Sequence, residues 1–241
     1  MLAHTIRRVL PVGEQRHDTT CVVVISLDPD ASREWATAIR RSGLRQLFTR
    51  TWGDLHAYRV LLNSPRSLAV LDVTEERPLS VTRDYIRALR LIAPVAVMAT
   101  EWRDIDELLS AGAVDAFPRH LPAAEICARL RADLRWLAMH RVGHAEGACT
   151  PMGPGRTVRG KMGSKGSQDF MLELLTACSE SGVTFCCHDL RLLLGSPGSP
   201  LSPRALRGRV ARLDPLLSAV GHRLSWSHQW GRDFFRVEPK T

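Results

Sequence analysis

Between residues 20 and 140 short apolar runs alternate with amphipathic stretches. The runs C-V-V-V-I-S (21–26), S-L-A-V-L-D (67–72), A-P-V-A-V-M-A (93–99) and V-D-A-F-P (114–118) are apolar on both faces, as buried parallel strands are, and 47–51 reads as a weaker fifth. Between them, residues 32–42, 55–62, 81–91, 103–110 and 123–139 carry helical periodicity. Five strand-and-helix units predict an α/β fold built on a doubly wound, five-stranded parallel sheet. Its ligand crevice should lie at the carboxyl ends of the strands.

The pattern changes over residues 167–241, which read as a mainly α domain ending in a β-hairpin. Apolar residues at Phe170, Met171, Leu174, Leu175 and Cys178 predict a helix over 169–179, and a second runs over 188–194 and stops at Gly195. The third, S-P-R-A-L-R-G-R-V-A-R-L (202–213), has Ser202 as N-cap and Pro203 as first helical residue. At about 100° per residue, Leu206, Val210 and Leu213 fall within an arc of roughly 60°. Arg204 points away from that stripe, Arg207 and Arg212 flank that outward face, and Arg209 lies nearer the apolar border. Two strands, 224–226 and 234–237, enclose the turn H-Q-W-G-R-D with Gly231, which sets Arg232 near a hairpin tip.

Between these halves, residues 142–166 hold seven glycines and two prolines without hydrophobic periodicity. The division is therefore an N-terminal extension (1–19), an α/β domain (20–141), a linker (142–166) that would let the halves move, and a C-terminal domain (167–241). Charge follows the same division. Residues 1–150 hold 20 Lys+Arg against 18 Asp+Glu, and 151–241 hold 13 against 7, so the basic excess belongs to the C-terminal half. Four arginines without an acid on one capped helix suit insertion into DNA, where arginine reads guanine edges and neutralises phosphate.

The ordered set F-M-L-E-L-L, L-R-L-L-L, R-A-L-R-G-R-V-A-R-L and G-R-D-F-F-R-V over 168–239 resembles the winged helix-turn-helix effector domain of OmpR/PhoB-type response regulators. Residues 21–139 resemble their receiver domain, through D-P-D after the first strand, L-A-V-L-D-V, A-P-V-A-V-M-A-T and A-G-A-V-D-A-F-P-R-H-L. The resemblance implies a sequence-specific transcriptional regulator that binds double-stranded DNA. Arg204, Arg207, Arg209 and Arg212 would share base and phosphate contacts in a major groove, and Arg232 would approach the adjacent minor groove. It further implies a homodimer through the fourth helix, fifth strand and fifth helix, with Asp104, Asp106 or Glu107 meeting Arg129, Arg131 or Arg135. The family's loop between the second and third helices contacts RNA polymerase. Here that loop, G-S-P-G-S-P-L-S, is short and rich in Pro and Gly, which weakens the expectation of that partner.

The receiver's phosphorylation chemistry does not transfer position by position. Asp72 matches the phosphoacceptor, but the acid pair that would hold magnesium falls on Ser26 and Leu27, with Asp28 one position late. The switching hydroxyl falls on Ala99, with Thr100 displaced by one, and the phosphate-pairing lysine falls on Arg119. We therefore expect a degenerate site in which Asp72 pairs with Arg119 or caps local amides, and control by dimerisation or by a small-molecule ligand in the crevice near Ser26, Asp72, Ala99 and Arg119. The alternative is a protein-interaction module whose winged domain binds a protein partner.

No run of 18 or more apolar residues and no signal-peptide core exists, so the expectation is a cytoplasmic protein with no membrane span. Six cysteines without C-x-x-C spacing read as reduced thiols. His140, His144 and Cys149 lack a clear fourth ligand, so neither a metal nor a cofactor is expected. There is no G-x-S-x-G, Walker loop or H-E-x-x-H, and no catalytic residue is assigned.

Overall fold

The computed structural model describes residues 20–64, 66–73, 77–99, 104–139, 166–179 and 183–240. Strands β1 (Val22–Ser26), β2 (Leu47–Thr51), β3 (Leu68–Asp72), β4 (Val95–Ala99) and β5 (Asp115–Pro118) form a parallel sheet in the order β2-β1-β3-β4-β5. Every residue of β1, β3 and β4 is buried, because helices cover both faces, and this is why those strands read as unbroken apolar runs. Helices α1 (Pro29–Arg41) and α5 (Ala123–Met139) close one face, burying Ala36, Ile39, Ile126 and Leu130 against Val22, Val24, Val70, Met98 and Phe117. On the other face, α2 (Leu55–Asn63), α3 (Leu79–Arg90) and α4 (Ile105–Ser110) bury Leu61, Ile86, Leu89 and Leu108 against Val23, Ile25, Leu71 and Val97. The chain switches sides between β1 and β3, which opens a crevice at their carboxyl ends.

The C-terminal half runs α6 (Gly166–Ser179), β6 (Thr184–Cys186), α7 (Cys187–Leu193), α8 (Pro203–Ala219), β7 (His222–Gln229) and β8 (Arg232–Pro239). Its three strands pair antiparallel in the order β6-β8-β7. Phe185 stacks on Phe235 at 5.4 Å, and Trp226 covers Phe235 from the other side at 5.3 Å. Three elements differ from expectation. Helix α8 continues past Leu213 through Pro215, because buried Leu217 extends the apolar stripe by another turn and outweighs the missing N–H. The hairpin strands are eight residues each, longer than the apolar cores that announced them. Strand β6 is only three residues long and was not expected; it is held by pairing to β8.

A larger correction concerns the relation of the halves. The linker, apart from Gly166, lies outside the described residues, as does the 1–19 extension. The halves it joins nevertheless share one hydrophobic core rather than standing apart. Trp52 and Tyr85 meet edge to face at 4.6 Å, and Tyr58 lies 5.8 Å from Phe170 of α6. Trp52 Nε1 donates to Leu192 O at 3.0 Å in a buried hydrogen bond, and Gly198 N donates to Tyr85 Oη at 3.0 Å. Around this core, Arg59 pairs with Glu173 at 3.0 Å and His188 Nε2 lies 3.3 Å from Asp84 Oδ2. Gly53 makes the close approach possible. Its φ is +86°, and a Cβ there would stand 3.2 Å from Gly195 O.

Candidate functional site

Two places collect the residues singled out from the sequence. The first is the crevice. Asp72 ends β3 with no exposed surface, directly beside Ser26 at the end of β1. Arg119, just beyond β5, forms an ion pair with Asp72 Oδ1, the pairing the sequence suggested. On Oδ2, Ser26 Oγ lies at 3.2 Å and Trp35 Nε1 donates from α1 at 3.4 Å. The Ser26 hydroxyl also lies 2.5 Å from Asp28 O, so its one proton is shared between two acceptors. Burial pushes the Asp72 carboxyl up, against the Arg119 charge and the Trp35 and Ser26 hydrogen bonds, which pull it down.

Both carboxylate oxygens of Asp72 are thus engaged. Leu27, where an acid would be needed for magnesium, is buried in the core. Asp28 is exposed and its Oδ1 accepts from Asp30 N at 3.2 Å at the start of α1. Ala99 is buried and its carbonyl accepts from Arg119 N at 2.8 Å. Thr100, like His140, His144 and Cys149, lies outside the described residues. Among the described residues no group of three or more His, Cys, Asp or Glu is arranged to hold a metal ion, and no helix is long and apolar enough to cross a membrane. The Trp35 contact was invisible in the sequence. Nothing in its spacing ties a tryptophan on α1 to a carboxylate 37 residues later.

The second place is the outer face of α8. Ser202 Oγ accepts from Ala205 N at 3.1 Å, Pro203 opens the helix, and Leu206, Val210, Leu213 and Leu217 are buried. That stripe turns Arg204, Arg207 and Arg212 outward. Arg209 sits half-buried at its border. Its Nη1 has no hydrogen-bond partner among the described residues, and desolvation with the nearby Arg212 charge lowers its pKa. Arg212 Nε reaches Gln168 Oε1 at 3.4 Å, which leans it toward α6.

Arg207 and Arg232 converge on a cleft of about 280 Å³ between α7, the start of α8 and the hairpin, together with Arg191, His188 and His228. Asp233 moderates this positive field. Its carboxylate lies 3.6 Å from Arg207 Nη2 and 2.8 Å from His228 Nδ1, and the His228 hydrogen bond, then the His228 and Arg207 charges, hold it below the usual carboxylate range. Arg191 is partly committed to the fold, donating from Nε to Leu201 O at 2.6 Å. The arrangement gathers positive charge along the cleft and can take an extended polyanion across it. His228, Asp233 and the cleft itself escaped sequence reasoning, because the hairpin's turn was legible and its register was not.

The charged pairs expected between copies are partly spent within the chain. Glu107 meets Arg83 at 3.5 Å, Arg129 meets Asp115 at 3.4 Å and Glu125 at 3.8 Å, and Arg131 donates to Gly43 O at 2.9 Å. On those same elements Leu109, Trp136 and Met139 are exposed, as is Val114 just before β5.

No family model and no curated protein matches the chain. Among solved structures, a two-component response regulator from Clostridium difficile is 18% identical, over 48% of this chain and 97% of that one, with a TM-score of 0.35. An orphan response regulator of H. pylori is 16% identical, over 49% of this chain and 98% of that one, at a TM-score of 0.34. The response regulator ChrA of a heme-sensing two-component system is 13% identical, over 83% of this chain and 91% of that one, at 0.34. Likenesses this low leave the fold resting on the chain's own strand order and register, which are those of a receiver-like, doubly wound α/β sheet.

Proposed function

We propose that the chain is a sequence-specific transcriptional regulator that binds double-stranded DNA through a winged helix-turn-helix, and that its receiver-like half works without phosphorylation of Asp72. The observation that carries this reading is the outward row of Arg204, Arg207 and Arg212 on the capped helix α8, of which Arg207 lines the same cleft as Arg232. Supporting it, the order α6-β6-α7-α8-β7-β8 with a β6-β8-β7 sheet is the order expected of a winged helix-turn-helix, in which α8 would enter the major groove and the hairpin would serve as wing. The engaged carboxylate of Asp72 and the burial of Leu27 support independence from phosphate. A homodimer through α4, β5 and α5 is supported by the exposed Leu109, Val114, Trp136 and Met139. Its contacts are then more apolar than the charged pairing read from the sequence.

A protein partner on the α8 face fits less well, since burying these guanidinium groups against an ordinary protein surface is costly. The test is selection of duplexes from a random pool by the full chain, followed by binding of the selected duplex over a salt series. A phosphate-contacting arginine changed to alanine should reduce the salt slope by about one and weaken all sequences alike, whereas a base-reading one should relax one position. Binding indifferent to salt and to Arg204→Ala and Arg207→Ala overturns the proposal.

A further inference from the structure

The tip of the β7-β8 hairpin is a two-residue turn, Trp230-Gly231, closed by the Gln229–Arg232 pair. Both residues have positive φ, +48° for Trp230 and +72° for Gly231, the geometry of a type I′ turn. Gly231 suits that geometry. Trp230 does not, because its Cβ crowds the backbone in the left-handed region, where Asn, Asp or Gly ordinarily sit. Among the described residues it is the sole non-glycine with positive φ. It is also 90% exposed, the most exposed of the large apolar side chains described. Folding gains nothing visible from this residue and bears two costs, a disfavoured backbone and a bare indole.

The neighbourhood says what the indole meets. Gly231, Arg232 and Asp233 line the cleft opposite Pro203 and Arg207, so the tip stands at the rim of the same basic face as the start of α8. With α8 in a major groove, the hairpin tip reaches the adjacent minor groove. Proteins that read the minor groove insert apolar wedges between base steps beside cationic side chains. Resting on the DNA-binding reading above, we propose that Trp230 is such a wedge. It enters the minor groove flanking the α8 contact, stacks on a partly opened base step, and is held there by Arg232 on the phosphates. Flexible pyrimidine-purine steps should be favoured at that position, since they unstack most easily.

The test compares the wild type with Trp230→Asn, Trp230→Phe and Arg204→Ala, each as the full chain, on a duplex selected by the wild type. 2-Aminopurine is placed in turn at each flanking minor-groove position. We expect Trp230→Asn to leave the melting temperature unchanged or raise it, because Asn accepts the left-handed conformation. It should weaken DNA binding about tenfold, toward the lower end of base–aromatic stacking, and abolish a fluorescence rise confined to one flanking step. Trp230→Phe should restore part of both signals. Unchanged affinity in Trp230→Asn, with Arg204→Ala still impaired, overturns the wedge and leaves the DNA-binding reading intact. A wild type that selects no duplex overturns both. If Trp230→Asn instead lowers the mass in solution with DNA affinity unchanged, the indole serves contact between copies and the wedge is likewise overturned.

Discussion

Deleting two hydrogen bonds should loosen the two halves from each other without unfolding either. Trp52→Phe removes the Nε1 donor to Leu192 O, and Tyr85→Phe removes the acceptor for Gly198 N. An aromatic ring, at position 52 a smaller one, remains on each side of the contact where Trp52 and Tyr85 now meet at 4.6 Å. Each bond contributes about 1 kcal/mol net, so the docked arrangement should lose about 2 kcal/mol. That is roughly thirtyfold in the equilibrium between docked and separated halves. Trp52→Ala, which also empties a site 4% exposed, should cost about 3–5 kcal/mol. Native-state hydrogen exchange on the full chain reads the effect directly. Protection at the amides of α2 and α7 should fall together in the double variant, while the centres of β3 and β4 stay as protected as before. Unchanged exchange in α7, or an equal loss in β3 and β4, would refute the reasoning.

Two further outcomes follow from buried charges. Asp133 on α5 has its carboxyl pushed up to about 6 by burial and by Asp115, against Arg129, and its Oδ2 has no hydrogen-bond partner among the described residues. A carboxyl raised in the folded state stabilises fully below its unfolded pKa, and that contribution is lost as pH rises toward 6. Asp133→Asn should therefore raise stability by about 1 kcal/mol at pH 7, after discount for its partial exposure, and by nothing near pH 3.5; melting temperatures across that range check it. Arg119→Ala leaves Asp72 buried without its cation and should cost about 3 kcal/mol. Because it also raises the Asp72 carboxyl further, urea unfolding should show a larger loss at pH 7.5 than at pH 5. Acetyl phosphate with magnesium should give no phosphoryl adduct by intact mass, and a stable adduct lost in Asp72→Asn would contradict a disabled site.

The sheet was legible because β1, β3 and β4 are buried on both faces, and such strands have nothing polar to interrupt them. The facing of α8 was legible for a similar reason. One apolar stripe fixes where Arg204 points and leaves Arg209 at the border. What failed to show depends on distance in sequence. Nothing in the sequence around Trp52, Tyr58 and Tyr85 marks them as contacts for the second half, and only the fold reveals that they also roof it. The glycine-rich stretch at 142–166 suggested independence, but linker composition describes the connection and says nothing of what its ends adhere to. Asp233 beside Arg207 depends on hairpin register, which the largely exposed, polar end of β7 specifies weakly.

The shared core between the halves bears on the geometry of any operator. Helix α8 and the α4-β5-α5 face belong to one packed unit, so two copies joined through that face present their α8 helices at one separation and one rotation about the DNA axis. Half-sites offset by a non-integral number of turns, for instance by about 5 base pairs, would place one helix on the wrong side of the duplex. Tethered domains would absorb that offset in their linkers. A docked pair has no slack to do so, and under the proposed function it would act on DNA as a gauge of helical phase as much as a reader of bases.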